Sequence, residues 1–194
     1  MSCTGGLTKD ITSTCGTSRG GGLEVVAYIG QRTDLEFTWS STPNKENTIT
    51  ALENAVGKKC VKLTGIRKLL NAGHTLVTAE NRPDKFSHYF TFEGFEILAE
   101  DITNLDKMDD VCVVVELKDK NSTGEGVFRV YGAKHGLYKT EDTQDLTANN
   151  GARQIRLASM AGQEEEYSAY VLYNTSYAAT KLIFDSLGTT GSQT

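Results

Sequence analysis

Cysteine and histidine, the residue types that most often bind metals or act as nucleophiles and bases, are few and scattered in this chain. The four cysteines and three histidines are Cys3, Cys15, Cys60, Cys112, His74, His88 and His135. A zinc site needs paired ligands such as C-x-x-C or H-x-x-x-H, and no two of these residues have that spacing. We therefore expect no bound metal ion and no cofactor.

Sequence motifs of the common catalytic classes are also missing. The chain has no phosphate-binding loop, no G-x-S-x-G nucleophile elbow and no H-E-x-x-H zinc motif. His88 alternates with phenylalanines in the run Phe86 to Phe92, which predicts a packed aromatic face rather than a catalytic base. The acidic residues 139–151 lack the glycine and final glutamate of a calcium loop, and we interpret them as a polar surface loop. We expect no enzymatic activity.

Two of the cysteines lie in an N-terminal segment, residues 1–22, that is rich in Gly, Ser and Thr. This segment has four possible roles. It could bind a metal ion, form a disulfide, be cleaved off as a leader, or become ordered against a neighbouring molecule. The segment lacks the apolar stretch of a secretion signal, so we expect that the chain is not secreted. Without secretion, free thiols are favoured over a Cys3–Cys15 disulfide. Nor does any stretch approach the roughly 18 apolar residues of a membrane span.

Composition and charge favour a β-rich globular domain. The 194 residues carry a formal net charge of −5, and the basic residues are scattered along the sequence. Both features argue against nucleic-acid binding. With 19 glycines and two prolines, the chain is typical of strands joined by glycine turns.

The sequence pattern predicts several strands, and the near-continuous apolar run VCVVVEL predicts a strand that is covered on both faces or lies at the centre of a sheet. The predicted strands are residues 23–30, residues 34–39 after a turn at 31–33, the hairpin 111–117 and 127–132, a strand through Ile155 and Leu157, and residues 167–173. Residues 40–48 predict an exposed loop. Residues 49–56 and 58–66 fit neither period well. Gly94 predicts a β-bulge, Asn150–Gly151 a turn, and Glu164–Glu166 a solvent-exposed turn.

Three helices are predicted. Ile66–Leu70, closed by Gly73, is a candidate short helix. A second short helix is predicted by apolar residues three apart, namely Ile102, Leu105 and Met108, with Asp101 as its candidate N-cap. The clearest helix is C-terminal: Asn174 or Thr175 caps it, and Gly188 ends it. Its predicted apolar stripe consists of Ala179, Leu182, Ile183 and Leu187.

These elements predict a mainly β fold with α (α+β). The alternatives are two packed antiparallel sheets or a partly closed barrel, with a C-terminal helix and long polar arms and loops. We expect a flexible N-terminal arm over residues 1–22, one β-rich domain over 23–187 and a flexible tail over 188–194.

The order of parts in the second half resembles the tail tube, or major tail, proteins of bacteriophages, especially those of Bacteroidetes hosts. The resemblance lies in the strand VCVVVEL, the strand ending VFRVYG, the step AKHGL, a polar loop, two strands and the closing helix. The start, from GLTKDITSTCG to GGLEVV, is similar to the beginnings of small virion proteins of such phages. Together these parts cover residues 1–30 and 95–187.

This resemblance implies a virion protein of the tail, present in the host cytoplasm during assembly. It would bind copies of itself in hexameric rings, stack those rings into a tube, and contact other tail proteins. DNA would pass through without specific binding, which a net negative charge favours. The implied contacts between rings are the arm and the loop 40–48: Cys3, Leu7, Ile11, Cys15, Pro43, Asn44 and Lys45.

Other functions remain open at this point. A head-to-tail connector, a tail terminator or a capsid decoration protein would share the β content and the arms. A monomeric binding domain of the adhesin type is the alternative from another class. Concentration-dependent assembly separates the virion proteins from the monomer, and open filaments separate a tube subunit from single closed rings.

Overall fold

The computed structural model describes residues 22–65, 70–78, 80–81, 83–94, 99–120, 123–147 and 151–192. Its described part contains two β-sheets, one of them curled into a half-barrel, and a C-terminal helix. The predicted α+β class is therefore confirmed. The predicted helix at Ile66–Leu70 and the bulge after Gly94 fall mainly on residues outside the described ranges.

The larger sheet has seven strands, and they come from all parts of the chain. In spatial order the strands are β2 (Leu35–Trp39), β3 (Thr48–Asn54), β11 (Tyr170–Leu172), β8 (Phe128–Tyr131), β7 (Val111–Leu117), β1 (Leu23–Gln31) and β4 (Val61–Thr64). Neighbours are antiparallel except β3 and β11, which are parallel. The two segments of ambiguous period thus become β3 and β4.

The smaller sheet has four strands and is antiparallel throughout. In spatial order they are β5 (Asn71–Val77), β6 (Lys85–Gly94), β10 (Arg153–Ala158) and β9 (Tyr138–Gln144). Two predictions are wrong here. Gly73 lies inside β5 and closes no helix, and the polar segment interpreted as a loop contains β9.

Strand β7 lies near the middle of the fold and is covered on both faces, as its continuous apolar run predicted. Val113 and Val115 face the four-stranded sheet in a core that also contains Phe90, Phe92 and Leu157. Cys112 and Val114 face the opposite way, toward the C-terminal helix. The protein therefore has three layers: small sheet, large sheet and helix.

The curl brings the two edges of the seven-stranded sheet together. Strands β3 and β4 lie five places apart in the sheet, yet only residues 55–60 connect them. Cys60 and Leu35, from opposite edges, both contact the Gly30 position. The Lys58 ammonium is 3.1 Å from the Asp34 carboxylate across the gap. These contacts close the sheet at one end without strand pairing.

The C-terminal helix α2 spans Tyr177–Ser186 and fills the large sheet's second face. Its cap is Ser176, whose hydroxyl accepts a hydrogen bond from the Ala179 N–H, so the predicted cap at Asn174 or Thr175 is wrong. Its predicted stripe is also partly wrong. Phe184 and Leu187 are fully buried, whereas Leu182 is 73% exposed.

The shorter helix α1 spans Ala99–Asp106. Asp101 lies inside it and is not its cap. Leu105 and Met108 are buried against the four-stranded sheet as the spacing predicted, but Ile102 is exposed. Arg153 of β10 is 2.6 Å from the Asp106 carboxylate, which ties the end of the helix to the sheet.

The predicted domain begins at residue 23, and strand β1 begins at the same residue, Leu23. Within the predicted tail, the Gly191 N–H donates to the Lys58 carbonyl, and Gly57 N–H donates to the Gly191 carbonyl. The Asn54 side-chain amide donates to the Leu187 and Thr189 carbonyls. These bonds hold residues 187–191 against the link between β3 and β4.

We predict that Phe184→Ala lowers the free energy of unfolding by about 3–5 kcal/mol, because it leaves a cavity between helix and sheet. The ring is fully buried and lies 4.8 Å from Tyr28 and 5.2 Å from Phe128, centroid to centroid. Urea unfolding followed by circular dichroism measures the loss. The control Leu182→Ala, on the exposed side of the same helix, should change stability by less than about 0.5 kcal/mol. Equal losses in both variants would contradict this packing.

Candidate assembly surfaces

The four-stranded sheet has two edges that carry no partner strand in the part of the chain that the structure describes. One edge is β5, whose sequence NAGHTLV contains no Lys, Arg, Asp, Glu or Pro. His74, Thr75 and Leu76 on it are exposed. Soluble proteins commonly protect a free edge with charge, proline or a short strand. A seven-residue edge without such protection is available for pairing with another strand.

The opposite edge, β9, is polar and charged. Lys139 is 2.7 Å from the Asp142 carboxylate, and Asp142 also receives two bonds from the Arg153 guanidinium. These partners lower the pKa of Asp142 to about 2, chiefly through the hydrogen bonds from Arg153. The charges of β9 are therefore largely satisfied within the chain.

The directions of these two edge strands are compatible with each other. Each strand of the small sheet is antiparallel to its neighbour, so in a sheet of four the outer strands β5 and β9 run in opposite directions. When β9 of one copy lies beside β5 of the next, the alternation continues unbroken. The sheet can therefore extend from copy to copy.

The outer face of this sheet is polar, whereas its inner face forms the core. The outward side chains on its central and β9 strands include Thr91, Glu93, Gln154, Arg156, Glu141 and Thr143. They line a shallow depression. Gln154 donates to Glu93 over 2.9 Å, and Arg156 lies 3.8 Å from Glu141. Few charges remain unbalanced on this surface.

On that face, the ring of Tyr89 covers Gly73, the glycine within strand β5. A side chain at Gly73 would collide with the Tyr89 hydroxyl, so the tyrosine lies directly over the glycine. The Arg156 guanidinium in turn lies 5.2 Å from the centre of the Tyr89 ring. Covering a strand glycine with a cross-strand aromatic ring stabilises the β5–β6 pair.

The predicted contact loop, residues 40–48, is held by the chain itself. The Lys45 ammonium is 2.7 Å from the Glu125 carboxylate in the β7–β8 hairpin. Asn44 adopts a left-handed conformation with φ of 64°, and its N–H donates to the Glu46 carboxylate. Pro43 and Asn44 are exposed at the tip. The other predicted contacts, Cys3, Leu7, Ile11 and Cys15, lie outside the described residues.

A buried polar cluster joins the two sheets, and the sequence did not predict it. Glu165 is fully buried and Glu164 is buried as well, so the predicted solvent-exposed turn at Glu164–Glu166 is wrong for its first two residues. The Glu165 carboxylate accepts hydrogen bonds from the Lys134 and His135 N–H groups and from the Tyr170 hydroxyl. Its backbone pairs with Phe86 of the other sheet. Three donors offset the cost of burying the carboxylate.

His88 is the second member of this cluster, and its burial confirms the predicted aromatic face. Its ring is edge-on to Tyr131 and Tyr170 at centroid distances of 5.2 and 6.0 Å. Both ring nitrogens bond to backbone: Gly132 N–H donates to Nδ1, and Nε2 lies 2.8 Å from the Tyr167 carbonyl. The geometry therefore gives His88 a structural role.

The two described cysteines are poor nucleophiles. Burial raises the pKa of the Cys60 thiol to about 12 and raises that of Cys112 as well. Both thiols are therefore protonated near neutral pH. Among the described residues, no three His, Cys, Asp or Glu side chains are placed to hold a metal ion.

Comparison with known proteins gave no match to a family model, a curated protein or a solved structure. Of the helices in the described ranges, none has the length and apolar character needed to cross a bilayer.

We predict that Tyr170→Phe lowers the free energy of unfolding by about 1–3 kcal/mol, because it removes a donor from a buried carboxylate. The hydroxyl bond to Glu165 is 2.9 Å long and lies inside the protein. The matched control is Tyr173→Phe, which removes a more exposed hydroxyl bonded to the Thr175 carbonyl. Thermal or urea unfolding should show a loss at least twice that of the control. A loss no greater than the control's would show that Glu165 does not depend on this donor.

Proposed function

We propose that this protein is a structural subunit of a bacteriophage tail tube, and that copies of it join edge to edge into rings. The observation that carries the proposal is the unprotected edge strand β5, combined with an opposite edge β9 of compatible direction. Such an edge is a hazard in a protein that acts as a monomer and an advantage in one that pairs with its own copies. The resemblance in strand order to tail tube proteins supports the same function.

Ring closure is geometrically reasonable for these sheets. Six four-stranded sheets, at about 4.8 Å per strand, give a barrel of about 37 Å backbone diameter, and a wider one when the strands tilt. In such a ring the apolar face of each small sheet stays against its own core, so the polar outer face lines the inside. A pore of this kind presents Thr, Gln and Glu side chains to its contents.

The charge pattern favours passage of DNA over binding. The chain has a formal net charge of −5, and on the outer face the cations Arg156 and Lys85 lie on different strands, together with Glu93 and Glu141. Nucleic-acid binding needs clustered Lys and Arg, and like charge disfavours adsorption of phosphate. DNA would therefore slide through such a channel without specific contacts.

Stacking of the rings would use contacts of a second kind. In our proposal the N-terminal arm, with Cys3, Leu7, Ile11 and Cys15, orders against the neighbouring ring. The tip of the loop 40–48 is the other contact. A head-to-tail contact of this kind is heterologous, and repeated addition produces an open filament. Other tail proteins would bind the ends of the tube.

Electron microscopy of the purified chain over a range of concentrations tests the proposal. We expect stacked rings or tubes that become more abundant with concentration. Single closed rings without stacking would instead favour a connector or terminator. A particle that stays monomeric at the highest concentration would contradict the proposed function and favour a binding domain.

We predict that Leu76→Lys prevents ring formation, because it places a charge on the β5 edge. Leu76 is 50% exposed, so the lysine can reach solvent and the fold should be retained. The matched control is Leu182→Lys, the same change at an exposed site of α2 away from the sheet edges. Sedimentation velocity should show a monomer for the first variant and rings for the second. Rings from both variants would exclude β5 as the contact without excluding assembly.

A further inference from the structure

The turn from Gly132 to Gly136 is held from two sides by buried titratable groups. From the small sheet, His88 Nδ1 accepts the Gly132 N–H at 3.2 Å. From the segment before β11, Glu165 Oε1 accepts the Lys134 and His135 N–H groups at 3.2 and 3.0 Å. Gly132 has a φ of 72°, so the turn depends on a glycine there. Directly after this turn the chain enters β9.

The geometry fixes His88 in its neutral form. Nε2 lies 2.8 Å from the Tyr167 carbonyl and must carry the proton, because a carbonyl can only accept. Nδ1 must then be bare in order to accept from Gly132. A second proton, on Nδ1, would place the imidazolium N–H against the Gly132 N–H. The imidazolium form therefore cannot keep the bond to the turn.

Some of the groups around His88 lower its pKa and others raise it. Burial lowers the pKa of His88, and His74 on β5 acts the same way; Glu165 and nearby backbone groups partly offset them. Tyr131 and Tyr170 make T-shaped contacts with the ring and are neutral at physiological pH. Lys134 is paired with Glu166 at 2.7 Å, farther toward solvent.

We propose that His88 is an acid-sensitive joint, whose protonation releases the Gly132–Gly136 turn and loosens strand β9. The joint belongs to the folded subunit and does not depend on assembly. If β9 also pairs with β5 of a neighbouring copy, acid would weaken the rings as well. That consequence alone rests on the proposed function.

The direction of the pH effect follows from linkage. In the unfolded chain His88 takes up a proton near pH 6.5, whereas in the folded chain it stays neutral to lower pH. The contribution of His88 to stability is therefore complete above about pH 6.5 and is lost as the pH falls through the folded-state pKa. Between the two pKa values the unfolding equilibrium constant rises by up to about tenfold per pH unit, since one proton is involved.

The decisive variant is His88→Gln, because the glutamine amide can accept from Gly132 and donate to Tyr167 but does not titrate. Its matched control is His74→Gln, which removes the exposed histidine directly opposite on β5. We expect urea unfolding between about pH 7.5 and 5, the range in which histidine titrates, to show the one-proton slope in wild type and the control. His88→Gln should lose that slope. An unchanged slope in His88→Gln would overturn the proposal.

A measurement on the unmodified chain keeps the test valid if the variant fails to fold. Hydrogen exchange is followed at each pH for residues 132–144 and for β1, after correction for intrinsic exchange. We expect acid to increase exchange several-fold in residues 132–144 before it does so in β1. The same pH dependence in both segments would overturn the joint. The measurement uses the monomer at low concentration, so its result does not depend on whether rings form at higher concentration.

Discussion

The fold depends on the need to cover strand β7 on both faces. Its residues from Val111 to Glu116 are all buried, and their side chains alternate between two cores. One core must be completed by the small sheet and the other by helix α2. Removing the small sheet would expose Val111, Val113 and Val115 to water, and removing the helix would expose Cys112 and Val114, at a cost of about 1.5–3 kcal/mol for each valine. The three-layer arrangement follows from this single strand.

The two sheets also need a polar connection, because apolar packing alone is non-directional. Glu165 and His88 supply it. Each group lies in the interior with its hydrogen-bonding atoms satisfied, and each reaches the turn that separates β8 from β9. Such satisfied buried groups specify one arrangement of the layers. The register between the sheets is therefore fixed at one end of the interface.

The sequence predicted those features that depend on local periodicity. The alternation of Phe86, His88, Phe90 and Phe92 identified an inward face, and the apolar run of β7 identified a central strand. It did not predict β9, since alternating Thr, Glu and Asp give no apolar signal. It misplaced Glu165, because burial of a carboxylate depends on donors some 30 residues away. Leu182 was misassigned since the sheet, rather than the helix, decides which side of α2 is covered.

The parallel pairing of β3 with β11 has a consequence for biosynthesis. β3 ends at Asn54 and β11 begins at Tyr170, so an internal strand pair of the large sheet joins the first third of the chain to its last sixth. Contacts this distant in sequence form slowly and late in folding. The ribosome must release nearly the whole chain before this sheet can close. A chain truncated before Tyr170 therefore lacks this strand pair.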